Sequence, residues 1–557
     1  MAHSGADIIK RYTCLVNEAQ NHRQRAEDMA PYISPSRVGI TTARTPGTKL
    51  NANTYDSTGM MAADLMAMFV SGSIINPGQR WGRSSLRDPR LRDDDEIKEW
   101  LEECDDRLLR QFSASMFYAE VSESLIDWGG FGTGFFLMEE QPAMQHISRP
   151  GFRGFYCEAQ KTGRFVIADG PDGLVDTAMR EFKLTARVIK DRWPNAVLPE
   201  SIRAALEKGD MDKQFTVVHA IVPRGTSDQR AGAGATAMPW ASTWVEKESK
   251  AILHDSGYRC FPGAVARYMR TPGEVYGRGR GDIAYNDIWT LNEAKRMGFE
   301  DWALKLQPPI MTRHDSVIGT LKLVPAGWTS VNTHGQRIQD VIMPYQTGSS
   351  PEVSNIKEEE LRRSIRQIFF VDQILALMES HKSEMTAFEF SKKLEILFTL
   401  MGPVYGRTER ELLQPTWDCG FETMLHAGAF SPPPPQLMES DGNVDVIFEN
   451  PLARSRRVGD VEAIAMAVND MAQLGQMFPQ MWDGFDPDKT RQHIFSVRGV
   501  PASVTRNLDE IDALREERAK QQQEEMQMQT IQQASEGMKN AAPMVKALQA
   551  PPQGQAA

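Results

Sequence analysis

Residues 274–281 read Glu274-Val275-Tyr276-Gly277-Arg278-Gly279-Arg280-Gly281, and they lead into DIAYNDIWTLNEAKRMGFEDWALKL at 282–306. SNIKEEELRRSIRQIFFVDQILALM follows at 354–378. The two segments read as long helices separated by a compact insert. In the first, Ile288, Leu291, Ala294, Gly298, Trp302 and Leu306 recur at spacings of three and four, which makes one stripe. Asp282 follows Gly281 and is placed to cap the free N–H groups of the first turn. Pro308-Pro309 ends the helix. The second helix opens at Ser354-Asn355. Glu358, Glu359 and Glu360 lie near its start, where the helix dipole favours negative charge. Glu358–Arg362 and Glu359–Arg363 are i,i+4 pairs. Leu361, Ile365, Ile368, Phe369, Ile374 and Leu377 carry its apolar face. At ~1.5 Å per residue each helix reaches roughly 35–38 Å. The insert, about 307–353, is rich in β-formers, Gly and Pro (Leu321 to Pro325, Ile338 to Pro344). It reads as a small αβ or β unit at the far end of two struts.

Composition narrows the class. The chain has 557 residues, 41% of them hydrophobic and 25% charged, which is ordinary for a soluble globular protein of one to four domains. No apolar run approaches the ~18–20 residues that span a bilayer. The segment Met1 to Asp7 lacks the basic and apolar regions of a signal peptide. Cys14, Cys104, Cys157, Cys260 and Cys419 are odd in number and scattered, as expected of free thiols in a reducing cytosol. Net charge is −11. A protein that grips DNA for affinity carries a basic surplus, so a nucleic-acid role here means transit or a local basic patch.

Outward from the struts, the first third reads as helical. Ile8, Ile9, Tyr12, Leu15 and Val16 make an amphipathic start, Pro31 to Pro46 a connector, and Ser57 to Phe69 a Met- and Ala-rich helix closed by Asn76-Pro77-Gly78. Asp93 to Glu96 opens a helix with the stripe Ile97, Leu101, Cys104, Leu108 and Phe112. Another ends at Trp128. Gly129 to Gly134 breaks the pattern as a hinge, and Phe135 to Glu139 reads as a strand. From Gln145 to Arg270 short strands dominate (151–156, 164–168, 215–222, 243–245, 264–268), with a short helix at Thr185 to Trp193. Ser227 to Met238 reads as a mobile hairpin tip. After the second strut, Thr386 and Glu389 form a capping box and Met385 and Phe390 a hydrophobic staple. Gly402-Pro403 is expected to kink the helix they open before it resumes to Leu413. Ser431 to Pro435 is a rigid linker, Val444 to Phe448 a strand, and 452–477, 488–498 and 508–533 are helices. A Gln-rich end and an expected disordered tail close the chain. The fold class is α+β, mostly helical.

Signals for chemistry are weak. Gly277 to Gly281 admits a phosphate cradle or a tight turn into a helix, and it lacks the P-loop Lys-Ser/Thr and the Rossmann spacing. No Cys-x-x-Cys, His-Glu-x-x-His or Gly-x-Ser-x-Gly occurs. His254-Asp255 and His314-Asp315 read as ordinary neighbours, and Asp93 to Glu96 as a solvated helix start. The polar stretch Glu379-Ser380-His381-Lys382-Ser383-Glu384 is either a solvated turn or a loop facing a channel. No enzyme activity, cofactor or metal is expected.

The order of segments carries more than any single site. Glu274 to Gly279 leads into a helix with Thr290-Leu291-Asn292-Glu293. Met385-Thr386-Ala387-Phe388-Glu389 precedes a long helix. Asn450-Pro451-Leu452-Ala453-Arg454 and Arg498-Gly499-Val500-Pro501 complete the series. From about Ile8 to Lys520 the chain resembles the head-to-tail connector, or portal protein, family of short-tailed bacteriophages. The resemblance implies a homo-oligomeric ring of twelve subunits at one capsid vertex, a component of the virion assembled in the host cytoplasm. It implies a wing (1–281 and 385–449), a stem (282–306 and 356–378), a clip (307–355), a channel loop (379–384) and a crown (450–533), with a tail at 534–557. Stem packing then falls to Ile288, Leu291, Trp302, Leu361, Ile365 and Ile368. Docking in the clip falls to Arg313, His314, Asp315, Trp328 and Arg337. DNA in transit passes Glu379, Ser380, His381, Lys382, Ser383 and Glu384. The implied partners are the terminase large subunit, a tail adaptor protein, major capsid and scaffolding proteins and dsDNA, with no membrane. The competing readings are a nucleotide-binding enzyme using Gly277 to Gly281 and a monomeric scaffold or adaptor.

Overall fold

The computed structural model describes residues 4–141 and 151–306 apart from a few positions, strand segments within 310–344, and residues 351–380, 387–439 and 444–448. It also describes helical stretches within 461–472, 485–498 and 510–528. The chain divides into two compact units. One holds residues 1–85, 103–432 and 444–457, and the other holds 86–102, 433–443 and 458–557. Helix and sheet are mixed, as the α+β reading expects.

The first unit opens with α1 (Gly5–Glu18) and α2 (Gln20–Ile33). Ser4 caps α1 by accepting the Asp7 N–H at 3.2 Å. The expected stripe Ile8, Ile9, Tyr12 and Leu15 is buried. Helix α2 runs through Pro31, so the connector starts later than the sequence implied. Then come α3 (Thr58–Ile74), β1 (Gly82–Leu86), α4 (Asp95–Ala114), which crosses the unit boundary, and α5 (Phe117–Phe131).

Strand β2 (Thr133–Glu140) is the centre of an antiparallel sheet ordered β3-β2-β9, with β3 at Phe155–Gln160 and β9 at Gly263–Arg267. A second antiparallel sheet runs β4 (Phe165–Asp169), β5 (Val175–Thr185), β6 (Gln214–Pro223), β7 (Trp240–Glu246), β8 (Ile252–Tyr258). Period-two alternation divides its faces. Val218, Ala220 and Val222 of β6 pack with Ile8, Ile9, Tyr12 and Leu15 of α1. Val217 packs with α6 (Ala186–Arg192) and α7 (Glu200–Glu207), and Ile221 with Phe135 and Leu137 of β2. The short helix expected near Thr185 is present, with Thr185 as its cap. The tip expected at 227–238 does join β6 to β7, but it contains α8 (Thr226–Ala231) and a 3-10 turn (Gly234–Ala237).

The reading of Gly129 to Gly134 as a hinge is corrected. Gly129-Gly130-Phe131 end α5, Gly132 closes it at φ +90°, and β2 begins at Thr133. These backbones lie directly against Gly277-Arg278-Gly279-Arg280-Gly281. A Cβ on Gly277 would sit 2.1 Å from the Gly132 carbonyl oxygen, and one on Gly279 2.6 Å from that of Gly129. Gly277, Gly279 and Gly281 have no room for a side chain because of the Gly129 to Gly132 backbone, and Gly132 has none because of Gly277 to Gly279.

Beside this contact, Arg267 of β9 is fully buried. It donates to Glu411 Oε1 and Asp169 Oδ1, each at 2.8 Å, and to the carbonyls of Gly173 and Val275. Burial pulls its pKa down, and Glu411 and Asp169 together raise it above the usual value.

The strut helices are α9 (Arg280–Leu306) and α10 (Pro351–Ile368), followed by α11 (Val371–Ser380). The second strut therefore starts earlier than Ser354 and breaks at Phe369-Phe370, where Phe370 has φ +59°. Helix α12 (Ala387–Thr408) passes through Pro403 without interruption, a π-turn spans Glu409–Leu413, and α13 covers Gln414–His426. Helix α12 starts where the capping box places it, although Met385 and Thr386 and the Glu389 and Phe390 side chains lie outside the description. The short strand β14 (Val444–Phe448) pairs with β1.

The second unit has helices within 461–472 and 510–528 and at Pro487–Arg498, where helices were expected. Arg515 clamps Asp488 with two 2.9 Å hydrogen bonds. The tail from 529 lies outside the described residues.

Candidate assembly and docking surfaces

Helix α9 is launched from the glycine contact. Its start is Arg280, so Asp282 is the third helical residue rather than the cap. Its carboxylate reaches back and accepts the Gly279 N–H at 2.8 Å, the reciprocal half of a capping box. Two further turn N–H groups are also taken. Gly277 donates to Thr133 Oγ1 and Arg278 to the Met269 carbonyl, both at 2.8 Å. A phosphate cradle needs those donors free. The nucleotide reading therefore loses three of its donors. Among the described residues no three His, Cys, Asp or Glu side chains are grouped to hold a metal, and no helix is long and apolar enough to cross a membrane.

Over its first half α9 is fastened by paired polar groups. Buried Asn292 accepts the Tyr55 N–H at 2.7 Å and donates to the Asn53 carbonyl at 3.2 Å. Ser364 of α10 donates to Asp287 at 2.7 Å, and Lys295 pairs with Glu358 at 3.1 Å. Arg362 bridges Glu358 and Asp56. Burial opposes ionisation of Asp56, but Thr58 and Arg362 hold its carboxyl below the usual range. Of this clasp the sequence reading had only the i,i+4 pair Glu358–Arg362, which is present at 3.3 Å, and it gave no role to Asn292, Asp287, Lys295, Ser364 or Asp56. Asn292 lay within the marker Thr290 to Glu293, and a polar residue on an otherwise apolar stripe was the signal available.

Of the residues assigned to stem packing, Ile288, Leu291 and Ile365 are buried, and Leu361 and Ile368 are half-buried. Trp302 is 61% exposed in the single chain. Phe299 meets Tyr55 with ring centroids 6.2 Å apart and is itself 52% exposed. Leu306 on the same stripe is 62% exposed, and Trp289, Met297 and Leu304 are exposed elsewhere on the helix. Ile356 of α10 is 70% exposed. At about 2 kcal/mol each, six such side chains left in water are worth roughly 10 kcal/mol, comparable with the net stability of a domain.

The insert shows two short antiparallel ladders, β10 (Ile310–Thr312) with β13 (Ile342–Pro344) and β11 (Val317–Ile318) with β12 (Ser330–Val331). The β character read from composition is present. Arg313, His314, Asp315 and Trp328 lie outside the described residues, and Arg337 is exposed. In the stretch 379–384, Glu379 and Ser380 close α11 rather than belonging to a loop, because the apolar spacing Ile374, Leu377 holds that helix to its end. His381, Lys382, Ser383 and Glu384 lie outside the described residues.

Residues 6–505 match the family described as bacteriophage head to tail connecting protein. The chain belongs to that family. A probable portal protein of Bordetella phage BPP-1 is 24% identical over 536 residues, 95% of this chain and 94% of that one. The portal protein of Salmonella phage epsilon15 is 24% identical over 541 residues, 96% of this chain and 94% of that one. The match runs through the glycine contact, both struts and the insert between them.

Proposed function

We propose that this chain is the structural subunit of a portal, the ring at one capsid vertex through which dsDNA is packaged and later ejected. The observation that carries the reading is the collinear, near-full-length match to the connector family and to two phage portal proteins. Residues 282–306 and 356–378 form the stem and residues 307–355 the clip. The clip docks the terminase large subunit during packaging and a tail adaptor afterwards, through Arg313, His314, Asp315, Trp328 and Arg337. The stretch 379–384, with His381 and Lys382, narrows the bore near DNA. Residues 1–281 and 385–449 are the wing, and 450–533 the crown.

Twelve subunits close by rotation through one heterologous interface, so each buries a surface against a different patch of its neighbour. The exposed apolar side chains Trp289, Met297, Trp302, Leu304 and Leu306 of α9 support this, because a monomer gains nothing by keeping them in water. A net charge of −11 suits a conduit, since a bore that bound phosphate tightly would stall moving DNA. The ring assembles in the host cytoplasm with major capsid and scaffolding proteins and stays in the virion. ATP hydrolysis belongs to the terminase.

Native mass spectrometry and negative-stain imaging of the purified protein test the reading. Closed rings of about a dozen subunits with a central hole are expected. A protein that stays monomeric both alone and with its scaffolding protein overturns it.

A further inference from the structure

All five cysteines are free thiols, and two of them meet. Half-buried Cys260 lies in the short connection from β8 to β9, and buried Cys419 lies in α13. Their sulfurs are 2.8 Å apart although the residues are 159 positions apart in sequence. The Cys260 thiol also faces the Cys419 carbonyl at 3.9 Å. A disulfide needs an S–S separation of about 2.05 Å and side chains that point at each other, and this pair is within ~1 Å of that. The remaining thiols are engaged elsewhere. Cys14 contacts Glu18 on the surface of α1, Cys157 contacts Ser115, and Cys104 is buried on α4.

We propose that Cys260 and Cys419 are a latent redox staple, joined when the protein meets a low-molecular-weight disulfide such as oxidised glutathione. Cys260, the more accessible thiol, loses its proton and attacks one sulfur of the small disulfide. One small thiolate leaves, and a mixed disulfide forms. Cys419 then loses its proton and displaces the second small thiolate from Cys260. The two protein thiols are oxidised to one disulfide, and the small disulfide is reduced to two thiols. The staple ties the β8–β9 connection to α13. Its hydrogen bond to Cys419, followed by burial, pushes the Cys260 thiol well above its usual range. Staple formation is therefore slow at neutral pH and quickens as the pH rises. The inference is independent of the portal reading.

The test incubates the purified full-length protein with oxidised glutathione at about pH 8.5, near the free-thiol pKa. Remaining thiols are then alkylated, and disulfide-linked peptides are mapped by mass spectrometry. A Cys260–Cys419 peptide is expected, with two of the five thiols lost. Thermal unfolding should shift upward by several degrees and return on treatment with dithiothreitol, because a cross-link across a long loop constrains the unfolded chain. Cys260→Ser and Cys419→Ser should each abolish that shift. The proposal is overturned if Cys14 becomes glutathionylated while Cys260 and Cys419 stay alkylatable. It is equally overturned if Cys419 is found joined to Cys157. Peptide mapping of the unsubstituted protein decides the matter even where a serine variant does not fold.

Discussion

Arg267 and Asp105 show how a single buried charge is managed in two ways. Arg267 answers every donor with an acceptor, and two carboxylates neutralise it. Arg267→Ala leaves Glu411 buried without its cation. Breaking a buried pair from one side costs about 3–5 kcal/mol, read as a lower urea midpoint. A loss below about 1 kcal/mol would mean that water enters and replaces the guanidinium. Asp105 is hydrogen-bonded by neutral groups, with the charges of Arg80 and Arg83 acting on it more weakly. It accepts the Ser84 N–H at 2.9 Å and the Ser84 hydroxyl at 2.6 Å, and Trp417 Nε1 donates to that hydroxyl at 3.1 Å. Burial outweighs these bonds and pushes its pKa up from 3.8 to about 7. The folded state therefore holds a proton that the unfolded state releases. The stability this contributes is complete below about pH 4 and is lost as pH rises through about 7. Melting temperature should accordingly fall between pH 5 and pH 8 more in the native protein than in Asp105→Asn. Parallel pH profiles for the two proteins would exclude Asp105 as the titrating group.

At the scale of elements, the glycine contact and the stem helices behave differently under substitution. Gly279→Ala puts a methyl group 2.6–2.7 Å from the Gly129 and Gly130 carbonyl oxygens, backbone that cannot rotate away. It should cost at least about 3 kcal/mol, at the severe end of overpacking. Gly402 lies inside α12 with nothing within 4 Å of its missing Cβ. Gly402→Ala should stabilise the isolated subunit by about 1 kcal/mol, since only helix propensity changes. Chemical denaturation of both variants checks the pair, and equal effects would contradict the backbone contact. On α9, Trp302→Ala should leave the subunit's own unfolding within about 0.5 kcal/mol of the native protein, because the side chain is solvent-exposed. The same substitution should reduce the yield of assembled rings in sedimentation. A subunit destabilised by several kcal/mol would place Trp302 in its own core instead.

For the whole molecule, the insert is closed at its base by β10 pairing with β13, between the ends of two helices that are clasped elsewhere. Replacing 307–350 with a short Gly-rich link should leave the clasp and ring assembly intact and abolish terminase co-sedimentation. Retained docking would move the docking surface off the insert. Much of this layout is legible in one dimension. Three- and four-residue spacings announced α1, α4, α9 and α10, and the collinear order of segments announced the family. The break at Phe370 was not legible, because Ile368-Phe369-Phe370-Val371 continues an apolar helical pattern while the backbone turns left-handed there. The fate of Trp302 was equally hidden. Its spacing matches that of Ile288 and Leu291, yet those two are buried and Trp302 is exposed in the single chain.

The sequence by itself determined the helices, the β-rich insert, the absence of a P-loop and the connector family. Each of these rests on local periodicity, residue chemistry or segment order. The tertiary structure alone decided that the two glycine runs face each other and that Asn292, Arg362 and Asp56 form one clasp. It alone showed Arg267 meeting Glu411 and Cys260 meeting Cys419. Those pairs lie 144 and 159 residues apart. Contacts at such separations are fixed by how packed elements exclude volume and water, and no spacing along the chain encodes them.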